Sequence, residues 1–125
     1  MLFSEVYFYE KVLYNDDKLK IVDTDHSRKR KRRSNNQWNK PITDKEILTI
    51  INNALPQLVE AYNNGEIKNN DKVWLYNPYH RLNVIISFKV IKDTNKIRIT
   101  ILTNMRHNKF HNTSDTQKKI VVKYK

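Results

Sequence analysis

The chain has 125 residues, with 24 lysines and arginines against 13 aspartates and glutamates, a formal net charge of +11. It has no cysteine and one glycine, Gly65. These counts exclude disulfides, thiolate metal sites and a cysteine nucleophile, as well as the phosphate-binding loop, the dinucleotide fingerprint and the GxSxG elbow, each of which needs more than one glycine.

Leu, Ile, Val and Phe make up about 28 % of the chain, enough for one domain with a modest core. No apolar stretch approaches the roughly 20 residues of a membrane span. The N-terminus, MLFSEVYFYEKV, carries Glu5 and Glu10 where a secretory signal needs a basic start. The expectation is a small, soluble, cytoplasmic domain over residues 1–125 that meets a polyanion and not a membrane. With asparagine abundant and glycine nearly absent, turns that need positive φ fall to Asn or Asp.

In chain order, residues 1–25 form an N-terminal element. Its first 14 residues read either as a short helix capped by Ser4 or as an aromatic strand, and Leu19–Asp23 alternates like a strand. Residues 26–65 read as a basic and then an amphipathic helix. The basic run Arg28–Arg33 also fits a nuclear-localisation-like segment or a flexible arm. The amphipathic helix spans about Asp44 to Asn63. Thr43 and Glu46 form a capping box, Ile42 and Ile47 a hydrophobic staple, and Asn63-Asn64-Gly65 the end. Pro56 is expected to kink or split it. Residues 72–125 read as an antiparallel sheet: Lys72–Tyr76, then a hairpin of Arg81–Ile91 and Lys96–Thr103 around Asp93-Thr94-Asn95, then Lys119–Tyr124 after a polar loop. Helices on one face of a small antiparallel sheet make an α+β fold.

The charge is uneven. Residues 1–25 hold three basic and six acidic residues, and residues 26–125 hold 21 basic and seven acidic. The basic residues concentrate at Arg28–Arg33 and from Arg98 to Lys125, and a fold that joins the two regions makes one positive face. Each of the four histidines, His26, His80, His107 and His111, lies near a cation. That suits proton transfer beside a phosphate better than metal binding. The spacing of His107 and His111 matches a metal pair, but no third ligand is near, so neither metal nor cofactor is expected. Asp23 and Asp25 form a carboxylate pair or neutralise their basic neighbours. Trp74, Tyr76, Tyr79 and Tyr124 lie in or beside cation-rich strands, where they pack or stack on unpaired bases; Trp74 reads as packing and Tyr79 stays open.

The order Ile21–Arg30, with His26 and Arg30 four residues apart, the capped helix opening at Ile42–Ile47, the strands, and the ending Ile101–His107 that leads into a basic loop, Asn104–Lys109, resembles the RelE/ParE-like superfamily and its phage-type endoribonucleases. The resemblance implies a RelE-like sheet and a metal-independent endoribonuclease acting on mRNA, ribosome-associated mRNA included, through 2′-hydroxyl attack. His26 would transfer protons with His107 as partner, and Arg106 would steady the phosphate. Arg28, Arg30, Arg32, Arg33, Arg81, Arg98 and Lys109 would hold the RNA, and Tyr79 would stack. The alternatives are a non-catalytic basic nucleic-acid-binding or inhibitory protein, and a module that docks an acidic protein partner.

Overall fold

The computed structural model describes residues 10–31, 41–106 and 116–125, the side chains of Arg30 and Lys31 excepted. Its elements are β1 (Lys11–Asn15), β2 (Leu19–Asp23), α1 (Asp25–Lys31), α2 (Asp44–Asn63), β3 (Asp71–Asn77), β4 (Leu82–Ile91), β5 (Lys96–Arg106) and β6 (Lys118–Val121). The strands form one six-stranded sheet in the order β1-β2-β5-β4-β3-β6. β2 runs parallel to β5 and β3 parallel to β6, while the other pairs are antiparallel.

This corrects the expected fold. Helices on a small antiparallel RelE-like sheet are replaced by a mixed sheet that is the main body of the described chain, with one long helix and a seven-residue α1. The alternation in β4 and β5 and the turn between them are as expected. Alternation marks a strand and its buried face but says nothing about the strand's neighbour. The β2–β5 and β3–β6 pairings join segments far apart in sequence. Since β2 and β3 run parallel, the chain between them must cross the sheet, and α1 and α2 make that crossing.

Local chemistry explains the element ends. The Asp16 carboxylate accepts the N–H groups of Lys18 and Leu19 at 2.7 and 2.8 Å, closing the β1–β2 turn. At the start of α2 the Glu46 N–H donates to Thr43 Oγ1 at 3.1 Å and the Thr43 N–H donates to Glu46 Oε1 at 3.2 Å, and Ile42 and Ile47 are both buried beside this box. Its end is a Schellman turn, with Glu66 N–H on Ala61 O, Gly65 N–H on Tyr62 O and Gly65 at φ +77°. Pro56 does not split α2, which runs unbroken over 20 residues. Pro56 and Asn52 lie on the exposed side, where water can reach the carbonyl that proline leaves without a donor. Asn70 and Asn95 take positive φ as expected of a glycine-poor chain; Arg81 does so too, at φ +54°, without the short polar side chain that eases it.

The core lies between α2 and one face of the sheet. Ile47, Ile50, Ile51, Ala54, Leu58 and Ala61 of α2 meet Val73, Leu75, Leu82, Val84, Ile86, Phe88, Ile99 and Ile101 of the strands. A bulge in β5 interrupts its alternation: Ile101 pairs with Ile86 and Thr103 with Ile85, so Leu102 has no partner across the ladder. Two residues then oppose one, and every side chain after Leu102 faces the side opposite to that set by strict alternation. Among the described residues no helix is long and apolar enough to cross a membrane. Phe88 is fully buried and packs on Tyr62 with ring centroids 5.6 Å apart. Phe88→Ala is expected to cost about 3–5 kcal/mol, read as a lower denaturant midpoint with an unchanged slope.

Candidate nucleic-acid interface

The sheet face turned away from α2 carries the alternate residues of each strand. The register places Lys20 opposite Arg98 and Arg98 opposite Lys89, so three cations from β2, β5 and β4 form one row. Neighbouring strands are about 4.8 Å apart. Like charges directly opposite one another destabilise a sheet by tenths of a kcal/mol or more. One carboxylate answers this row among the described residues: Glu10, 3.7 Å from Arg98, both partly exposed. Lys72, on the same face, is exposed.

Towards the β3–β6 edge the same face carries Trp74 and Tyr76, each half-buried. The indole N–H of Trp74 donates to Asn83 Oδ1 at 2.9 Å, and Asn83 Nδ2 donates to Met105 O at 3.3 Å, which sets the ring on the sheet. Lys119 of β6 pairs with Trp74 and places its ammonium 4.1 Å from the Trp74 ring centroid and 5.2 Å from that of Tyr76. Between these two groups the face is closed to solvent, since Val22, Ile85 and Asn83 are buried. It therefore offers a cationic row and a cation–aromatic edge.

The opposite face carries a buried clasp at the sheet's end. Arg106 is 3 % exposed. Its Nη2 donates to both Glu46 carboxylate oxygens, at 3.0 and 2.8 Å, and to Pro41 O at 3.2 Å, and its Nη1 donates to His80 O at 3.1 Å. Burial pushes the Glu46 carboxyl up, but the hydrogen bonds from Arg106 and Thr43 and the guanidinium charge outweigh burial and hold it below the ordinary value. Asn77, fully buried, binds the turn to the C-terminal segment: its Oδ1 accepts the His80 N–H at 2.7 Å, and its Nδ2 donates to Val122 O at 2.8 Å and Tyr124 O at 3.0 Å. Burial and the Glu46 carboxylate push the Tyr124 hydroxyl up to about 12, against the opposing effect of Arg106.

The expected site residues are divided among these places. Arg98 lies in the cationic row. Arg106 is spent on internal partners, which corrects its expected role at a phosphate: a guanidinium tied to a carboxylate and two carbonyls is structural. His26 stands exposed on α1. Arg28 and Lys29 pair with Asp25 at 3.5 and 3.1 Å. α1 is fastened to the α2 side of the sheet. Asn104 Nδ2 donates to Ser27 O at 3.0 Å and Ser27 Oγ at 2.6 Å, and the Thr24 hydroxyl donates to Ile101 O at 2.8 Å. Arg28 thus lies on the α2 side and Arg98 on the far side, so these two expected RNA contacts do not share a face. Asp23 is buried and Asp25 pairs with cations, so they are not a catalytic carboxylate pair.

Tyr79 and Arg81 are exposed on the β3–β4 turn, where Tyr79 meets the His80 ring edge-on with centroids 4.9 Å apart. The Arg30 side chain, Arg32, Arg33, His107 and Lys109 lie outside the described residues. Lys20, Lys72 and Lys89 are not among the expected site residues, and Lys119 is expected only as part of the basic region from Arg98 to Lys125. Their alternation with buried residues was visible in the sequence, but their meeting in rows depends on strand order. No family model matches the chain, and neither a curated protein nor a solved structure does.

Glu46→Gln should cost about 3 kcal/mol, because the buried guanidinium loses its carboxylate. A carboxyl held below its ordinary value stabilises the fold above that value and loses the contribution as pH falls through the folded-state value. The gap between wild type and Glu46→Gln should therefore be full at neutral pH and close as pH falls below the ordinary carboxylate range, measured by denaturant melts. At the alkaline end Tyr124 keeps its proton in the folded chain after it has lost it in the unfolded one. Stability should fall as pH rises from 10.0 to about 12, and fall less in Tyr124→Phe.

Proposed function

We propose that the chain binds single-stranded RNA on the sheet face turned away from α2, without cleaving it. One observation carries this reading: Lys20, Arg98 and Lys89 are set directly opposite one another across three strands, on the face that also holds Lys119 against Trp74 and Tyr76. Folding alone has no use for like charges in register. A phosphate backbone relieves their repulsion and releases its counterions, and aromatic faces on the same surface suit unpaired bases. A duplex hides its base faces, so the aromatic edge favours single strands. Single-stranded RNA, whose loops and ends present unstacked bases to aromatic side chains, is the polyanion this combination of cations and aromatics suits. Cleavage needs a proton acceptor at the scissile phosphate. Among the described residues, His26 belongs to α1 on the α2 side, across the sheet from the cationic row, and Arg106 is committed to Glu46, so the reading is binding and not turnover.

The test is fluorescence anisotropy with a labelled single-stranded RNA. If four cations each meet a phosphate, log Kd should change with log salt at a slope of about 3, weakening binding roughly 50-fold between about 50 and 200 mM. Lys89→Glu with Arg98→Glu should lower that slope by about 1.4. Tyr76→Ala should weaken binding by about 5- to 150-fold, as loss of one stacked base would. A flat salt response, or a charge-reversed double variant that binds as wild type does, would overturn the reading. RNA cleavage in EDTA by wild type would overturn its non-catalytic half.

A further inference from the structure

On the α2 side, where β3 turns into β4, a cleft of about 200 Å³ is lined by Lys45, Glu46, Thr49, His80, Leu82, Tyr124 and Lys125. Its walls are mainly apolar and flat. Leu82 is fully buried, and the His80 ring lies against Tyr124 with centroids 5.7 Å apart and an interplanar angle of 36°. Tyr79, 59 % exposed, stands edge-on to the same imidazole. The acidic lining group is Glu46, whose charge Arg106 already balances. The ammonium groups of Lys45 and Lys125 are exposed and have no carboxylate partner among the described residues. No part of the sheet-face reading uses this cleft.

We infer that the cleft is a site for a nucleoside monophosphate, with the base against His80 and Tyr124 and the phosphate held by Lys45 and Lys125. The volume is below the roughly 300 Å³ at which sites for drug-sized ligands begin, and suits a single planar ring system. A flat apolar wall favours the face of a base, and a balanced carboxylate beside it accepts an N–H from the base edge. The two ammonium groups are where a phosphate gains charge-assisted hydrogen bonds. The two ammonium groups stand exposed while the deep wall at Leu82 is apolar, which orients the nucleotide with its base inward. The Tyr124 hydroxyl keeps its proton throughout the neutral range and stays a donor. The inference goes beyond RNA binding, because the cleft and the cationic row lie on opposite faces of the sheet.

The test uses the full chain, with nuclear magnetic resonance of the His80 and Tyr124 rings and calorimetry. The probes are the four 5′-monophosphates, their nucleosides and inorganic phosphate. At least one monophosphate should shift both rings and bind about tenfold or more tightly than its nucleoside or phosphate alone. Lys45→Ala with Lys125→Ala should cost that monophosphate about tenfold and leave its nucleoside nearly unchanged. His80→Ala should weaken both; the variant keeps the backbone groups that bind Arg106 and Asn77, so the fold is expected to survive. Ring signals unmoved by every monophosphate at millimolar concentration would overturn the inference. So would inorganic phosphate binding as tightly as the nucleotides, since the apolar walls would then contribute nothing. Loss of oligonucleotide binding with the monophosphate titration intact would count against the sheet-face reading and not against this one.

Discussion

The bulge at Leu102 decides which side of the sheet receives everything after it. Before it, Arg98 and Thr100 face away from α2 while Ile99 and Ile101 join the core. Past it, the parity is reversed. Arg106 and Arg98 are eight positions apart and would share a face in a regular strand. Instead Arg106 turns towards α2, is buried, and finds Glu46. Asn104 turns the same way and holds Ser27, which anchors α1 to β5. One unpaired residue thus places the short helix and supplies the cation of the clasp, while Arg98, before it, stays with Lys20 and Lys89.

The two faces differ in how they treat charge. On the α2 side a guanidinium is taken out of water, which is tolerable only because a carboxylate and two carbonyls satisfy it. Glu46 also belongs to the cap of α2, so the ion pair ties the start of the long helix to the end of β5 and to the β3–β4 turn. On the far side the cations stay partly or fully exposed and face one another with little counter-charge. The first arrangement is self-sufficient and reads as structure. The second is unfavourable by itself and relieved by an anion, which is why it carries the functional reading. Buried Asn77 links the two regions, since β3, which bears Trp74 and Tyr76, ends at the residue that holds His80 and Tyr124 in place.

Much of the local structure was legible. Thr43 and Glu46 announce the start of α2, Gly65 its end, and the alternation of Leu82, Val84, Ile86 and Phe88 the buried face of β4. These features act over a few residues and depend on nothing distant. Pro56 does not split α2, because a proline is costly in proportion to what its missing N–H strands, and here the affected carbonyl lies on the wet side of the helix. The candidate interface was legible only in part. Arg98 was visible as an outward cation, whereas the row it belongs to exists because β2 pairs with β5. Arg106 looked like a phosphate ligand because its burial depends on the bulge, which no local pattern in Ile101–Arg106 marks.

By itself the sequence determined the basic charge, the exclusion of thiolate chemistry and of glycine-loop phosphate sites, the long capped helix and the apolar strand faces. All of these follow from composition or from periodicities within one element. Tertiary structure alone decided the strand order, the two parallel pairings, the division of the cations between two faces and the burial of Arg106. Those depend on which distant segments meet and on the parity of one bulge. Both are set by how α2 and six strands together exclude water from a single core, and that is a property of the whole assembly.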